Sequence, residues 1–230
     1  MKKLVLIIQS FLITVGVFSQ QSDCISAADK DYEDRLKTGI IGREYLNPVD
    51  GFAGDQYFNV WALGEVTLTN GDIIRDIFVQ YDKYLDELLW LREADFRKGL
   101  LNKHDIAGFR ILGNRDVPAA TFIKKRITVP WMGLSDAFVQ VLVSGETSLY
   151  AYRNVTKVPN NYQLNDNTVY FLSVPEHDYQ VRLRRKDVLS IPEIPKATMK
   201  MILRTNRITV NNNEPGLIRA LTLLNASPAQ

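Results

Sequence analysis

Apolar and polar residues alternate in short runs from Gly54 to Ile194, and the spacing becomes helical only after Pro195. The clearest local signal lies early in this body. Val66-Thr67-Leu68 leads into Asn70-Gly71, and Ile73, Ile74, Ile77, Phe78 and Val79 follow. Asn-Gly between β-branched runs predicts a hairpin, because both residues tolerate positive φ. Two registers fit: a two-residue turn sets Leu68 opposite Ile73, and a three-residue loop with a glycine bulge sets Val66 opposite Ile74. Beyond the turn, Ile73, Ile77, Val79 and Tyr81 share one strand face, which Arg75 interrupts.

The same reading extends along the chain. Tyr81 to Leu91 fits either a helix or two strands joined at Leu85-Asp86-Glu87. Lys103–Leu112 and Thr121–Val129 read as strands, separated by a turn at Asn114–Ala120, and Pro130–Ser135 reads as a loop. A second hairpin runs Phe138–Val143, Ser144-Gly145-Glu146, Thr147–Tyr152. Asn154–Asn167 reads as a surface loop. Thr168–Val174 and Tyr179–Leu183 flank Pro175-Glu176-His177-Asp178 as a third hairpin, and Lys186 to Ile194 leads out through Pro192 and Pro195. Met199, Ile202 and Leu203 are then spaced for a helix. Pro215 suits the first turn of another, whose apolar face is Leu217, Ile218, Leu221 and Leu224. The fold class expected is mainly β or α+β: an antiparallel sheet of successive hairpins forming a sandwich or partly open barrel, closed by two short C-terminal helices.

The start of the chain changes the picture. Lys2 and Lys3 precede a mostly apolar run from Leu4 to Phe18, and Val17-Phe18-Ser19 offers small residues where a signal peptidase reads. Residues 1–19 are therefore expected to be a signal peptide cleaved before Gln20, since the apolar run is short for a span of about 20 residues. Cys24 follows Gln21-Ser22-Asp23, a poor lipobox, and is the only cysteine, so it reads as a bystander. Residues 20–53 read as an N-terminal arm lying on the core, with a short helix at Ala27–Leu36, before a β-rich body (54–194) and a helical segment (195–230). Removing two lysines with the leader leaves 26 basic and 26 acidic residues. A neutral chain has no long-range pull toward nucleic acid or anionic lipid. The expected location is the periplasm, the outer-membrane surface or the exterior, with no later transmembrane helix.

Gly54-Asp55-Gln56-Tyr57-Phe58, then Trp61, Gly64, Asn70-Gly71, Tyr81 and Asp86-Glu87-Leu88, resemble the pattern of a family of exported β-rich proteins of Bacteroidota with no assigned activity. The resemblance covers most of the mature chain. It implies that Tyr81–Leu91 is strand, turn and strand, and it carries over no catalytic residues.

The candidate chemistry is sparse. His104 and His177 each precede an aspartate in a turn-like setting and read as solvated, with no helical His-x-x-x-His or cysteine pair to seed a metal site. Asp82, Asp86 and Glu87 lie among Tyr81, Tyr84 and Trp90, as glycosidase acids lie among aromatics. In a turn, however, such carboxylates stay hydrated, and no shift of their pKa toward neutrality is expected. No phosphate-binding glycine loop or nucleophile-elbow motif occurs. Arg182, Arg184, Arg185 and Lys186 form a basic run, with Lys124-Lys125-Arg126 as a second. Such runs suit phosphate or an acidic glycan, or simply a solvated strand edge. Tyr150, Tyr152, Tyr170 and Tyr179, with Arg182 and Arg184, are the candidate binding residues, for exposed tyrosine suits carbohydrate or protein contact. The expectation is a non-enzymatic interaction module of the cell envelope, without cofactor, whose partner is another envelope or outer-membrane protein. A small-ligand or glycan binder is the alternative, and a hydrolase using Asp82 with Asp86 or Glu87 comes third.

Overall fold

The computed structural model describes residues 42–91 and 96–227. The expected leader (1–19), Cys24 and the helix expected at Ala27–Leu36 lie outside the described residues. The strands are β1 (Gly42–Glu44), β2 (Ala62–Leu68), β3 (Ile73–Asp82), β4 (Glu87–Leu91), β5 (Lys98–Leu101), β6 (Ile106–Ile111), β7 (Ala120–Val129), β8 (Gly133–Val143), β9 (Ser148–Tyr152), β10 (Val155–Lys157), β11 (Leu164–Asp166), β12 (Val169–Val174) and β13 (His177–Val181). Eleven of them form one antiparallel sheet in the order β1-β5-β4-β3-β2-β6-β7-β8-β9-β12-β13, and β10 pairs with β11 in a small ribbon. The chain is therefore mainly antiparallel β, as its alternation predicts.

Among the described residues, the C-terminal helices are three rather than the two expected: α1 (Arg185–Ser190), α2 (Lys196–Thr205) and α3 (Glu214–Asn225). α1 occupies the stretch expected to run out as coil, and it buries Val188. α3 starts as its sequence predicts, with Asn213 capping the Gly216 N–H and Pro215 in the first turn. Met199, Ile202, Leu203, Leu217, Leu221 and Leu224 pack with Leu149, Leu172 and Val181 as a helix-on-sheet core.

The first hairpin takes the three-residue loop, with Val66 opposite Ile74 and Gly71 at φ 94°. Its far strand departs from simple alternation. The register shifts between Gly64 and Val66, and Asp76 takes up the extra residue at φ 58°. This bulge exchanges the faces of β3. Ile77, Val79 and Tyr81 are buried, whereas Ile73 is 45% exposed and Ile74 packs against the core in its place. Residues Tyr81–Leu91 form strand, turn and strand, with the turn at Lys83–Asp86. The loop expected at Pro130–Ser135 is shorter: β8 begins at Gly133, so β7 and β8 form one long hairpin. His177 and Asp178 belong to β13, leaving Pro175-Glu176 as the turn.

The sheet curls on itself without closing into a barrel. Four strand spacings of about 4.8 Å separate β3 from β8, or roughly 19 Å if flat. Yet the Tyr81 and Phe138 rings are 6.4 Å apart. Phe109 and Phe122 fill the space between, stacked at 4.7 Å, and Tyr81 lies 4.9 Å from Phe122. These aromatics hold the curl at its axis. The described part of the arm, residues 42–53, lies against this unit: β1 pairs with β5, and Tyr45 and Val49 are buried.

Candidate functional site

The three acids singled out by sequence sit at the β3–β4 turn. They are not solvated turn carboxylates, and this corrects the expectation. Asp82 is 0% exposed. Its Oδ1 accepts the backbone N–H groups of Tyr84 (2.8 Å) and Leu85 (3.0 Å), which closes the turn. Its Oδ2 accepts Tyr45 Oη–H at 2.8 Å and Gln56 Nε2 at 2.7 Å. Tyr57 Oη lies 2.9 Å from Tyr45 Oη. Burial and the adjacent tyrosine and carboxylate hold the Tyr45 hydroxyl far above the ordinary phenol range. Four bonds thus meet at one carboxylate: two close the turn, and those from Tyr45 and Gln56 tie the preceding segment to it.

Asp86 is 5% exposed and has φ 54°. Its Oδ1 accepts Tyr81 Oη–H (2.8 Å) and the Phe138 backbone N–H (3.2 Å), and its Oδ2 accepts Lys103 Nζ (2.6 Å). The Lys103 ammonium also lies 5.2 Å from the Phe138 ring centroid. Burial pushes the Asp86 carboxyl up to about 6, against the opposing pull of Lys103 and the bonds from Tyr81 and Phe138. Glu87 is also raised by burial, against the pull of Lys103 and Arg43. It lines a cavity of about 380 Å³ with Arg43, Asn102, Lys103 and His104. Asp86 is not part of that wall. The two adjacent acids therefore do not converge on one space, as strand alternation predicts for neighbours.

His104 sits in the 3-10 turn Lys103–Asp105, whose cap is the Asn102 side chain. His177 lies on the edge strand β13 with its Nδ1 3.5 Å from Glu193, and its side chain is largely exposed. Among the described residues, no group of three or more His, Cys, Asp or Glu is placed to hold a metal.

The candidate binding residues are dispersed. Tyr150 and Tyr152 pack on the sheet face that carries Ala137, Val139 and Phe171, with Tyr152 buried. Tyr170 and Tyr179 belong to the opposite, helix-covered side. Tyr170 Oη donates to Glu214 Oε2 (2.7 Å), and Arg153 Nη1 and Nη2 each reach a Glu214 oxygen at 2.8 Å. Arg153 Nε also donates to Gln140 at 2.8 Å, so this cluster ties α3 to the sheet. Burial and Glu214 push the Tyr170 hydroxyl up to about 12. Tyr179 donates to Glu193 at 2.9 Å. Arg182 is exposed, and Arg184 lines a groove of about 550 Å³ with Arg185, Lys186, Leu189, Asn211 and Asn212. None of the four tyrosines lines that groove or the Glu87 cavity.

One surface was read only as a loop. Pro130 to Leu134, at the β7–β8 tip, is exposed throughout, with Trp131 at 50% and Leu134 at 67%. The run from Ile127 to Ser135 carries no charge, and an Arg126–Asp136 pair at 3.0 Å neutralises its base. The available sequence signal was an apolar Pro-Trp-Met-Gly-Leu run where turns are usually polar. Among the described residues, no helix is long and apolar enough to cross a membrane. No family model matches the chain, and neither a curated protein nor a solved structure matches it.

Proposed function

We propose that this protein is an exported, non-enzymatic interaction module of the bacterial cell envelope that binds another envelope protein. The observation that carries the reading is the exposed, uncharged Pro130–Leu134 tip on a long two-stranded stem. A half-exposed tryptophan flanked by methionine and leucine is costly to leave in water and suits insertion into an apolar groove on a partner. The buried acids support the non-enzymatic side. Asp82 and Asp86 spend their oxygens on the fold, on hydroxyl, amide, backbone and ammonium donors. The leader-like residues 1–19 support export.

A photo-crosslinking residue at Leu134 in the full chain, expressed in its native envelope, tests this. One discrete protein adduct is expected, and Trp131→Ser should abolish it. An adduct with lipid alone, or none, would overturn the reading.

A further inference from the structure

We propose that the groove between the β13–α1 junction and the α2–α3 loop is a binding site for a phosphate-bearing ligand. Arg184, Arg185 and Lys186 line one wall and Asn211 and Asn212 the other, with Leu189 completing the lining. The space is about 550 Å³, enough for a phosphosugar or a phospholipid headgroup. No acid is among its lining residues. Among the described residues, no hydrogen bond or ion pair engages the side chains of Arg184, Arg185 or Lys186. Elsewhere three half-buried cations each meet an acid: Lys103 with Asp86, Lys125 with Asp178, Arg153 with Glu214. Asp187 is next in sequence but lies outside the groove's lining.

The two walls are joined before any ligand arrives. The Arg185 backbone N–H donates to Asn211 Oδ1 at 3.0 Å, and the Asn212 N–H donates to Leu183 O at 2.8 Å. With its oxygen committed, the Asn211 carboxamide has its Nδ2 donors left to offer. Asn212 is held in the left-handed region at φ 51°. Two planar guanidinium forks, an ammonium and amide donors on a preformed rim match a dianionic tetrahedral group better than a single carboxylate. Residues 20–230 carry 26 basic and 26 acidic residues with these three cations included, so the attraction is local to this groove.

The ligand chemistry is a phosphomonoester, carried either by a free sugar or by a lipid. Glucose 1-phosphate is titrated calorimetrically into the purified protein, and flotation is measured with phosphatidylcholine vesicles with and without phosphatidic acid. Saturable binding in either arm is expected, weakened by about tenfold or more in Arg184→Ala/Arg185→Ala. Binding in the first arm identifies a soluble phosphosugar, and binding only to phosphatidic acid vesicles identifies a lipid source. Lys98→Ala, which removes an exposed charge on β5, should change neither. An equal loss in Lys98→Ala, binding of glucose 1-sulfate as tight as that of the phosphate, or no binding in either arm would overturn the proposal. Thermal melts of the groove variants should match the wild type, because both altered side chains are exposed.

Discussion

The Asp86 carboxylate accepts the backbone N–H of Phe138 at 3.2 Å, across 52 residues of sequence. β9 pairs with β8 only from Gln140 onward, so Phe138 lies on a stretch of strand edge that no strand among the described residues covers on that side. The β3–β4 turn covers it, with Asp86 bonded to the N–H and Tyr81 Oη 3.5 Å from the carbonyl. A buried unpaired backbone group is costly, so this contact is a reason for the sheet to curl rather than only a result of it.

The first prediction concerns pH. The Asp86 carboxyl titrates near 6 in the folded chain, above its ordinary value of 3.8, because burial disfavours its charge. Between those values the native state binds more protons than the unfolded chain. The contribution is fully present below about pH 4 and is lost as pH rises through about 6. Its size is on the order of 2–3 kcal/mol, at about 1.4 kcal/mol per pKa unit. Asp86→Asn removes this decline. Denaturant unfolding of both proteins at several pH values should therefore give a stability difference that shifts in the variant's favour from pH 4 to pH 7. A difference independent of pH would refute the assignment.

The bulge at Asp76 sets up a contrast between two isoleucines that simple alternation puts on the same face. Ile77→Ala should cost about 2–4 kcal/mol, as large-to-small core changes do, whereas Ile73→Ala should cost under about 1 kcal/mol. Urea midpoints decide it, and equal losses would place the bulge elsewhere.

Two glycines separate backbone strain from crowding. At Gly71, φ 94°, an added β-carbon meets nothing within 4 Å, so Gly71→Val should cost on the order of 1 kcal/mol from conformation alone. At Gly64 the β-carbon would lie 2.4 Å from Val79 Cγ2 and 2.9 Å from Arg110 O. Gly64→Ala should therefore cost about 1–3 kcal/mol, the larger effect for the smaller residue. Thermal melts that rank the two the other way would contradict this packing.

Glu214 tests the α3 anchor. Burial would raise its carboxyl, but the hydrogen bonds from Arg153 and Tyr170 and the Arg153 charge hold it below the usual range. Its contribution is present above the unfolded value and lost as pH falls through the lower folded one. Glu214→Gln should lower stability by roughly 1–3 kcal/mol at pH 7, since Arg153 keeps its charge in a mostly buried setting. The deficit should shrink in acid. A deficit as large at pH 3 as at pH 7 would mean that the ion pair contributes nothing.

The sequence by itself determined where several turns fall and where the last helix starts. Asn70-Gly71, Ser144-Gly145 and Pro175-Glu176 mark hairpins because turn chemistry acts over a few residues, and Asn213 and Pro215 start a helix for the same reason. The mainly β architecture was legible from the same local periods. Only the tertiary structure decided which polar residues are dry. Asp82 and Asp86 look like ordinary turn acids in sequence; their burial depends on Tyr45, Gln56, Lys103 and Phe138, between 17 and 52 residues away. The tyrosines were visible as a group, yet adjacent strands and a helical cover distribute them over two faces and tie Tyr170 to Glu214. The basic run could be read directly. Its meeting with Asn211 and Asn212 could not, because a groove forms only when α1 and the α2–α3 loop are packed on the same sheet. Propensity and turn chemistry act through neighbours in the chain, whereas burial and convergence are set by neighbours in space.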